Sequence, residues 1–441
     1  MFGHPKGLAI LFFTEMWERF SFYGMKAILV LFMIKNVNGG LGWTETEALA
    51  LYGWYNMLVY VSSIPGGLIA DRLIGQKKSV MLGGLLLCAG HFLMAFPPLW
   101  AFYTALGLII AGVGLLKPNI STMVGGLYAQ NDPKREEGFT YFYMGINLGS
   151  LISTILVGYI GETYGWHYGF SLAGIGMLIG QMIFMYGQKY LTEVGNLVKK
   201  TEEEKKEAKV PLTMQEKDRL MVVAISFFIV FIFWVAFEQA GGLMTLYTDK
   251  YTDRSVFGLF NVPASVVQSL NPLFVLLFGP VVAHFWLSRS NKGQKSSAIF
   301  KMSIGTIVMG LGFLFMIAAS MQKVVNGDQL VQASGLYWLV GAYLFHTIGE
   351  LCLSPVALSF ITKLTPKHLV ASIMGIYFAV TGLSGKAAAW VGQLAGELGE
   401  LSIFTGLTVF SVIVGLLFIL LDKKLTQMTH GIDGSDILEK H

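Results

Sequence analysis

Apolar runs of about 20 residues or more, each long enough to cross a bilayer's hydrocarbon core, alternate along this chain with short polar breaks. Twelve such runs occur, near 8–35, 47–70, 78–97, 99–128, 137–161, 168–190, 219–247, 264–287, 297–321, 334–363, 368–395 and 402–422. None shows sustained strand-like alternation, and inside lipid each segment must satisfy its own backbone, so the pattern predicts twelve helices. The longest polar stretch, VKKTEEEKKEAKVPLTMQEKD at 198–218, falls after the sixth run and divides the chain six plus six. The predicted plan is therefore a six-helix bundle at 1–190, a polar linker at 191–218, a second six-helix bundle at 219–424 and a short tail at 425–441.

Composition places that plan in a membrane. Of 441 residues, 54% are hydrophobic and 13% charged, against about 25% charged in soluble domains. The amino terminus MFGHPKGLAILFF runs straight into a full-length span, with no separate cleavable leader expected. Cys88 and Cys352 both sit in apolar runs, which suits buried thiols and argues against a disulfide framework or a metal site. The net charge of +4 matters through its distribution. Eighteen Lys and Arg residues fall in the loops after even-numbered spans, among them Arg72, Lys77, Lys78, Lys134, Arg135, Arg289, Lys292, Lys295, Lys363 and Lys367. The loops after odd-numbered spans hold only Lys35, Lys250, Arg254 and Lys323. Positive charge gathers on the cytoplasmic side, so the even loops, the linker and both termini are expected there.

The two halves echo each other. Gly112 precedes Lys117-Pro118 in the fourth span as Gly349 precedes Ser354-Pro355 in the tenth, and Pro133-Lys134 and Pro366-Lys367 follow. Two related six-helix halves are the plan of many secondary transporters, which bind substrate near the midplane between the repeats. The turn GGLIADRLIGQKK after the second span resembles the major facilitator loop motif, with Gly67 and Gly75 allowing a close turn, Asp71 available as a helix cap, and Arg72, Lys77 and Lys78 at the surface. The predicted fold class is thus an all-α membrane protein of major facilitator type.

Eight ionisable residues lie well inside predicted spans: Glu15, Glu18, Arg19, Lys26, Lys117, Glu238, Glu350 and Lys386. At roughly 2.5–3.5 kcal/mol each at the bilayer centre they cannot all face lipid, so they are expected to pair and to line an internal cavity. In TEMWERFSFYGMK, positions 15, 18, 19, 22, 23 and 26 fall on one face of a helix. A stripe of both signs can hold the ends of a zwitterion or pass a proton between carboxylates. Asn147 and Asn271 can orient a charged ligand or bond between helices. Tyr60 and Tyr377 are either pocket hydroxyls or packing groups. His91, His284 and His346 have no carboxylate near them in sequence and read as packing or interface residues, and Lys386 is placed to snorkel. Hydrolase, zinc-protease and phosphate-cradling motifs are missing from the sequence; an ATPase domain is missing too. The chain is therefore expected not to be an enzyme, to carry no cofactor, and to draw on an ion gradient if transport is uphill.

The first-span stretch Glu15-Met-Trp-Glu18-Arg19-Phe20-Ser21-Phe22-Tyr23 resembles the E-x-x-E-R-F-x-Y-Y signature of the proton-dependent oligopeptide transporter family, a branch of the major facilitators. LLKPNIS (115–121), FYMGINLGS (142–150), FWVAFEQAG (233–241), SLNPLF (269–274) and GELCLSPVALS (349–359) resemble further family motifs in the expected spans. This resemblance implies a permease of bacterial type that imports di- and tripeptides with protons through a central cavity. The short loop between the ninth and tenth spans points to a cell inner membrane, the loop charges concern orientation and not nucleic acid, and a monomer is expected. The resemblance implies that Glu15, Glu18, Arg19, Lys117, Glu238 and Glu350 serve proton coupling. Substrate contacts are implied for Arg19, Tyr23, Lys26, Tyr60 and Lys117 at the carboxylate end, for Asn147, Asn271 and Glu350 at the amino end, and for Ser354 and Tyr377. It also implies two charge pairs between halves, Lys26 with Glu238 and Lys117 with Glu350. Phe22, Lys26 and Tyr377 depart from residues common in the family (tyrosine, arginine and tryptophan), which bears on selectivity. A same-fold symporter for an anion or drug, and a non-transporting peptide sensor, are the alternatives.

Overall fold

The computed structural model describes residues 3–433 apart from 130, 131, 133, 198–210, 257, 295 and 328. Most of the predicted linker, Pro133, Lys295 and the tail after 433 lie outside the described residues.

Each predicted span contains one long helix: α1 (Lys6–Ile34), α2 (Glu45–Ile74), α3 (Gln76–Leu93), α4 (Leu99–Gly126), α5 (Lys134–Tyr164), α6 (Trp166–Gly187), α7 (Met214–Phe237), α8 (Leu270–Asn291), α9 (Ala298–Gln322), α10 (Leu336–Leu364), α11 (Val370–Gln393) and α12 (Glu400–Gln427). Among the described residues, ten of the membrane-length helices are apolar enough to cross a bilayer by length and composition alone. The two others are α1, which carries Glu15, Glu18, Arg19 and Lys26, and α3, whose first turn is Gln76-Lys77-Lys78. The charge that sets α1 apart is what makes it a candidate site.

One predicted span is not a single helix. The seventh run, expected at 219–247, breaks after Phe237 into a tight 3₁₀ turn over Glu238–Gly241, and a short helix follows at Leu243–Tyr251. Gly242 sits at the break with φ −111° and ψ −102°, a backbone conformation that glycine reaches at low cost. The break lies near where the chain leaves one compact unit for another. The first unit is 1–199 with 244–249 and 255–273; the second is 200–243, 250–254 and 274–441. Two short stretches from the second half of the sequence therefore pack with the first half.

Within the first unit, α1 lies against α5 and α6, with glycines at the closest approaches. A Cβ on Gly24 would stand 2.7 Å from Val157, and one on Gly149 2.1 Å from the Met16 carbonyl oxygen. The close approach of α2 to α4 falls at Gly66, whose Cβ would meet the Gly114 carbonyl at 1.9 Å, while Gly67 faces open space. Gly75, with φ 82°, turns the chain from α2 into α3, and Asp71 is exposed in the last turn of α2.

The repeat legible in the sequence is also built into the packing. In the first unit, a Cβ on Gly83 of α3 would lie 2.7 Å from the Gly112 oxygen of α4, and one on Gly112 2.8 Å from the Gly83 oxygen. In the second unit, Gly305 of α9 and Gly349 of α10 block each other reciprocally, each at 2.7 Å. Small residues let membrane helices pack backbone to backbone, and the same device serves the same helix pair in each half.

Candidate functional site

The face of α1 marked by its spacing points into the first unit. Glu15, Glu18 and Arg19 are at most 2% exposed. The Arg19 Nε lies 3.0 Å from Glu15 Oε1 and also pairs with Glu18. Residue 19 follows 15 by one turn on the same helical face, the spacing at which opposite charges meet. The pairing is incomplete. Glu15 Oε2, Glu18 Oε1 and Arg19 Nη2 accept or donate no hydrogen bond among the described residues. Buried polar atoms are nearly always bonded, so this spare capacity suits a proton on the carboxylates and an anionic group on the guanidinium.

Aromatic rings frame the charges. The Arg19 guanidinium is 5.4 Å from the Phe22 ring and 5.9 Å from that of Tyr23. Lys26 Nζ lies 5.8 Å from the Tyr52 ring, and Lys117 Nζ stands 4.3 Å over the Tyr60 ring. The charge of Lys117 acts on those of Arg19, Glu18, Glu15 and Lys26. The first unit thus gathers Glu15, Glu18, Arg19, Tyr23, Lys26, Tyr60 and Lys117 into one constellation, with two carboxylates and three bases. Asn147 is buried in α5 and donates from Nδ2 to the Tyr143 carbonyl of its own helix at 3.0 Å. Asn271, half-buried in the first turn of α8, also belongs to this unit.

In the second unit, Glu238 is buried at the break after α7, Glu350 and Ser354 are half-buried on α10, and Tyr377 is buried on α11 within reach of the Glu350 charge. Lys386 is half-buried on the same helix. His91 and His346 are buried, the latter with its ring 4.5 Å from Phe313, and His284 is exposed.

Two groups of residues escape the sequence reading. Tyr52 and Tyr55 flank the charged stripe: Phe22 stacks on Tyr55 at 6.5 Å, and Tyr52 lies under Lys26. Their spacing with Asn56 and Tyr60 is helical, so the face of α2 was present in the pattern. The second group is long-range. Lys35 at the end of α1 pairs with Asp249. Glu162 at the end of α5 accepts hydrogen bonds from the Ala264 and Ser265 amides, at 3.0 and 2.7 Å, and from the Ser265 hydroxyl. Gln268 donates to the Ala27 carbonyl at 3.1 Å and to Thr245 at 2.9 Å.

Among the described residues, twelve long, mostly apolar helices with a buried, mixed-charge cluster in the first of them define a multi-pass membrane protein of the secondary-transporter class. The POT family profile matches residues 77–212 and 191–397. The chain is 34% identical to the peptide transporter YePEPT of Yersinia enterocolitica, covering 98% of this chain and 97% of that one. It is 32% identical to a di-/tripeptide transporter of Lactococcus lactis, with 97% of each chain covered. A crystal structure of a peptide transporter POT in complex with alafosfalin superposes with a TM-score of 0.88 at 34% identity, over 97% of this chain and 96% of that one. The chain belongs to the POT family and has the all-α major facilitator fold.

Proposed function

We propose that this chain is a proton-coupled symporter that imports di- and tripeptides by alternating access, working as a monomer in the cell inner membrane with both termini cytoplasmic. The observation that carries the reading is the Glu15–Glu18–Arg19 cluster, buried within a membrane helix yet with hydrogen-bonding capacity left over. Arg19, Lys26 and Lys117 supply positive charge for a peptide carboxylate, with Tyr23 and Tyr60 beside them. Asn147, Asn271, Glu350, Ser354 and Tyr377 are the proposed contacts for the rest of the peptide. Glu15, Glu18, Glu238 and Glu350 are the proposed proton carriers, with Arg19 and Lys117 as the bases whose pairing changes as protons move. No cofactor beyond the proton enters this reading. The names of the relatives support peptides as the substrate class, and the two bacterial sources support a bacterial membrane.

The driving force suffices. One proton crossing 100 mV releases about 2.3 kcal/mol, roughly fifty-fold accumulation of a neutral zwitterion. In this scheme the pairs Lys26–Glu238 and Lys117–Glu350 form in one access state, and protonation of the acid weakens each. Uptake of labelled dialanine into proteoliposomes, with and without an inward proton gradient, tests the proposal. Uptake that the gradient drives and that dialanine, but not free alanine, competes away is the expected result; uptake indifferent to the gradient would overturn it.

A further inference from the structure

The end of the second unit that carries Ser297 and Lys363 holds a set of contacts with no part in the scheme above. Beyond α12 the chain turns back on itself through His430 (φ 51°) and Gly431 (φ 85°), two successive left-handed residues. The returning segment is tied to two other helices. Arg219 Nε of α7 donates to the Thr429 carbonyl at 3.1 Å, and His430 Nε2 lies 2.8 Å from Asp218 Oδ2. The Asp433 carboxylate accepts from the Ala298 amide, in the first turn of α9, through both oxygens at 2.9 and 3.2 Å. Ser297, which caps α9, donates to Asp422 of α12. Ends of three helices, α7, α9 and α12, are thereby fastened together.

The fourth neighbour, α10, faces the strap through the charge of Lys363. α10 contains Pro355, which has no amide to bond the preceding turn, so the helix beyond it is a weak point for bending. Beside that half of α10 lies a cavity of about 260 Å³, lined by Pro355, Ser359 and Lys363 of α10, Lys301 of α9, and Ile432 and Asp433. A space next to a proline hinge, closed on one side by the returning chain, is room to move with a stop in it.

We infer that residues 429–433 form a strap that covers one side of this cavity, against the half of α10 beyond Pro355, and that its docking and release govern how readily this half moves during transport. The transport consequence rests on the function proposed above; the docking does not. Asp433 faces Asp422 from α12, Lys301 from α9 and Lys363 from α10, while His430 of the strap faces Asp218 and Arg219 lies beside it on α7. Burial, with Asp422 adding to it, pushes the Asp433 carboxyl up from 3.8 to about 6, against the opposing pull of the Ala298 amide and the two lysines. The docked carboxyl therefore holds its proton more tightly than the released one, so docking is tightest below 3.8, weakens as pH rises from there to about 6, and changes little above it. On the proposed cytoplasmic side, a symporter that acidifies its own exit would tighten the strap.

Cysteine labelling tests this without reference to any substrate. The native Cys88 and Cys352 are buried, so a Ser296→Cys variant, at a half-buried position in the cavity wall, reports on the cavity; Phe360→Cys, buried in the same wall, replaces it if that variant does not fold. Labelling by a membrane-impermeant maleimide is compared at equal pH among the parent, Asp433→Asn, a neutral side chain that can still accept from Ala298, and Asp433→Lys, which faces two lysines. Asp433→Lys is expected to label about tenfold faster than Asp433→Asn at every pH, with the parent exceeding Asp433→Asn by at least about threefold near about pH 7.5 and the excess shrinking as pH falls from about 6 toward about 4. Equal rates in all three overturn the strap. Dialanine counterflow at matched pH on both sides is expected to follow the same order. Counterflow that proceeds equally in all three despite different labelling overturns the transport consequence, whereas no counterflow in any of them, parent included, fails the peptide reading and leaves the labelling to decide the strap.

Discussion

Lys117 of α4 places its Nζ 4.3 Å over the ring of Tyr60 on α2, so the one base of the fourth membrane helix is held by a π face. Cation–π contacts range from about 0.5 kcal/mol when exposed to about 2 kcal/mol when desolvated. The contact is with the ring, which phenylalanine keeps and leucine does not. Tyr60→Phe is therefore expected to keep dialanine uptake within about twofold of the parent, while Tyr60→Leu raises KM by about tenfold. Lys117→Ala is expected to abolish gradient-driven accumulation and to spare counterflow. Undiminished uphill uptake by Lys117→Ala would remove Lys117 from the coupling machinery.

Arg19 serves two carboxylates, Glu15 and Glu18, in a space closed to bulk water. Removing one partner from a buried charge pair costs about 3–5 kcal/mol, because the survivor is left uncompensated. Arg19→Leu leaves two such survivors and is expected to lower the thermal midpoint in detergent sharply. Combining it with Glu15→Gln and Glu18→Gln is expected to recover most of the stability but none of the uptake. Arg19→Lys keeps the charge and loses the planar fork; it is expected to hold the fold and to bind substrate more weakly. Midpoints unchanged by Arg19→Leu would show that the cluster is not electrostatically closed.

The charged face of α1 was legible in the sequence because a helix repeats its faces every 3.6 residues. Glu15, Glu18, Arg19, Phe22, Tyr23 and Lys26 keep that period, and four charges in an apolar run stand out. The two-half plan was legible for a similar reason: Gly112 with Pro118 and Gly349 with Pro355 keep one spacing. Tyr52 and Tyr55 do not stand out in the sequence because tyrosine in a membrane helix is usual at interfaces, and only their position beside Lys26 and Phe22 makes them part of the site. The break at Glu238 hid inside an apolar run, where Gly241-Gly242 resembles other glycine pairs that simply pack. Contacts such as Lys35–Asp249 join positions far apart in sequence, and no local period carries that information.

The paired glycines make a symmetric prediction. Gly112 and Gly349 occupy matching places in α4 and α10, and a Cβ at either would press on a backbone oxygen at 2.8 or 2.7 Å. Backbone cannot yield as a flexible side chain does, so overpacking of about 1–3 kcal/mol is expected from each of Gly112→Val and Gly349→Val. Gly107, also in α4, has nothing within 4 Å of the added carbon. Gly107→Ala is expected to be neutral or to gain up to about 1 kcal/mol from helix propensity. Thermal unfolding in detergent reads all three, and a tolerated valine at one of the two paired sites would break the equivalence of the halves.

The contacts that hold the 244–249 and 255–273 stretches within the first unit offer the last test. Lys35 pairs with Asp249, whose side chain is 8% exposed while that of Lys35 is 36% exposed, so solvent screens the pair from one side. The Glu162 carboxylate accepts two backbone amides and a hydroxyl where the 3₁₀ turn Ser265–Ser269 begins. Hydrogen bonds to a charged group are worth about 1.5–3 kcal/mol each, well above the 0–1 kcal/mol or so expected of a partly exposed ion pair. Glu162→Ala is therefore expected to expose the 264–269 amides to hydrogen exchange more than Lys35→Ala does, by about tenfold or more. Exchanging the charges, Lys35→Asp with Asp249→Lys, is expected to restore the protection that either single change removes. If Lys35→Ala proved the more damaging variant, the ion pair and not the carboxylate cap would be what keeps these stretches in place.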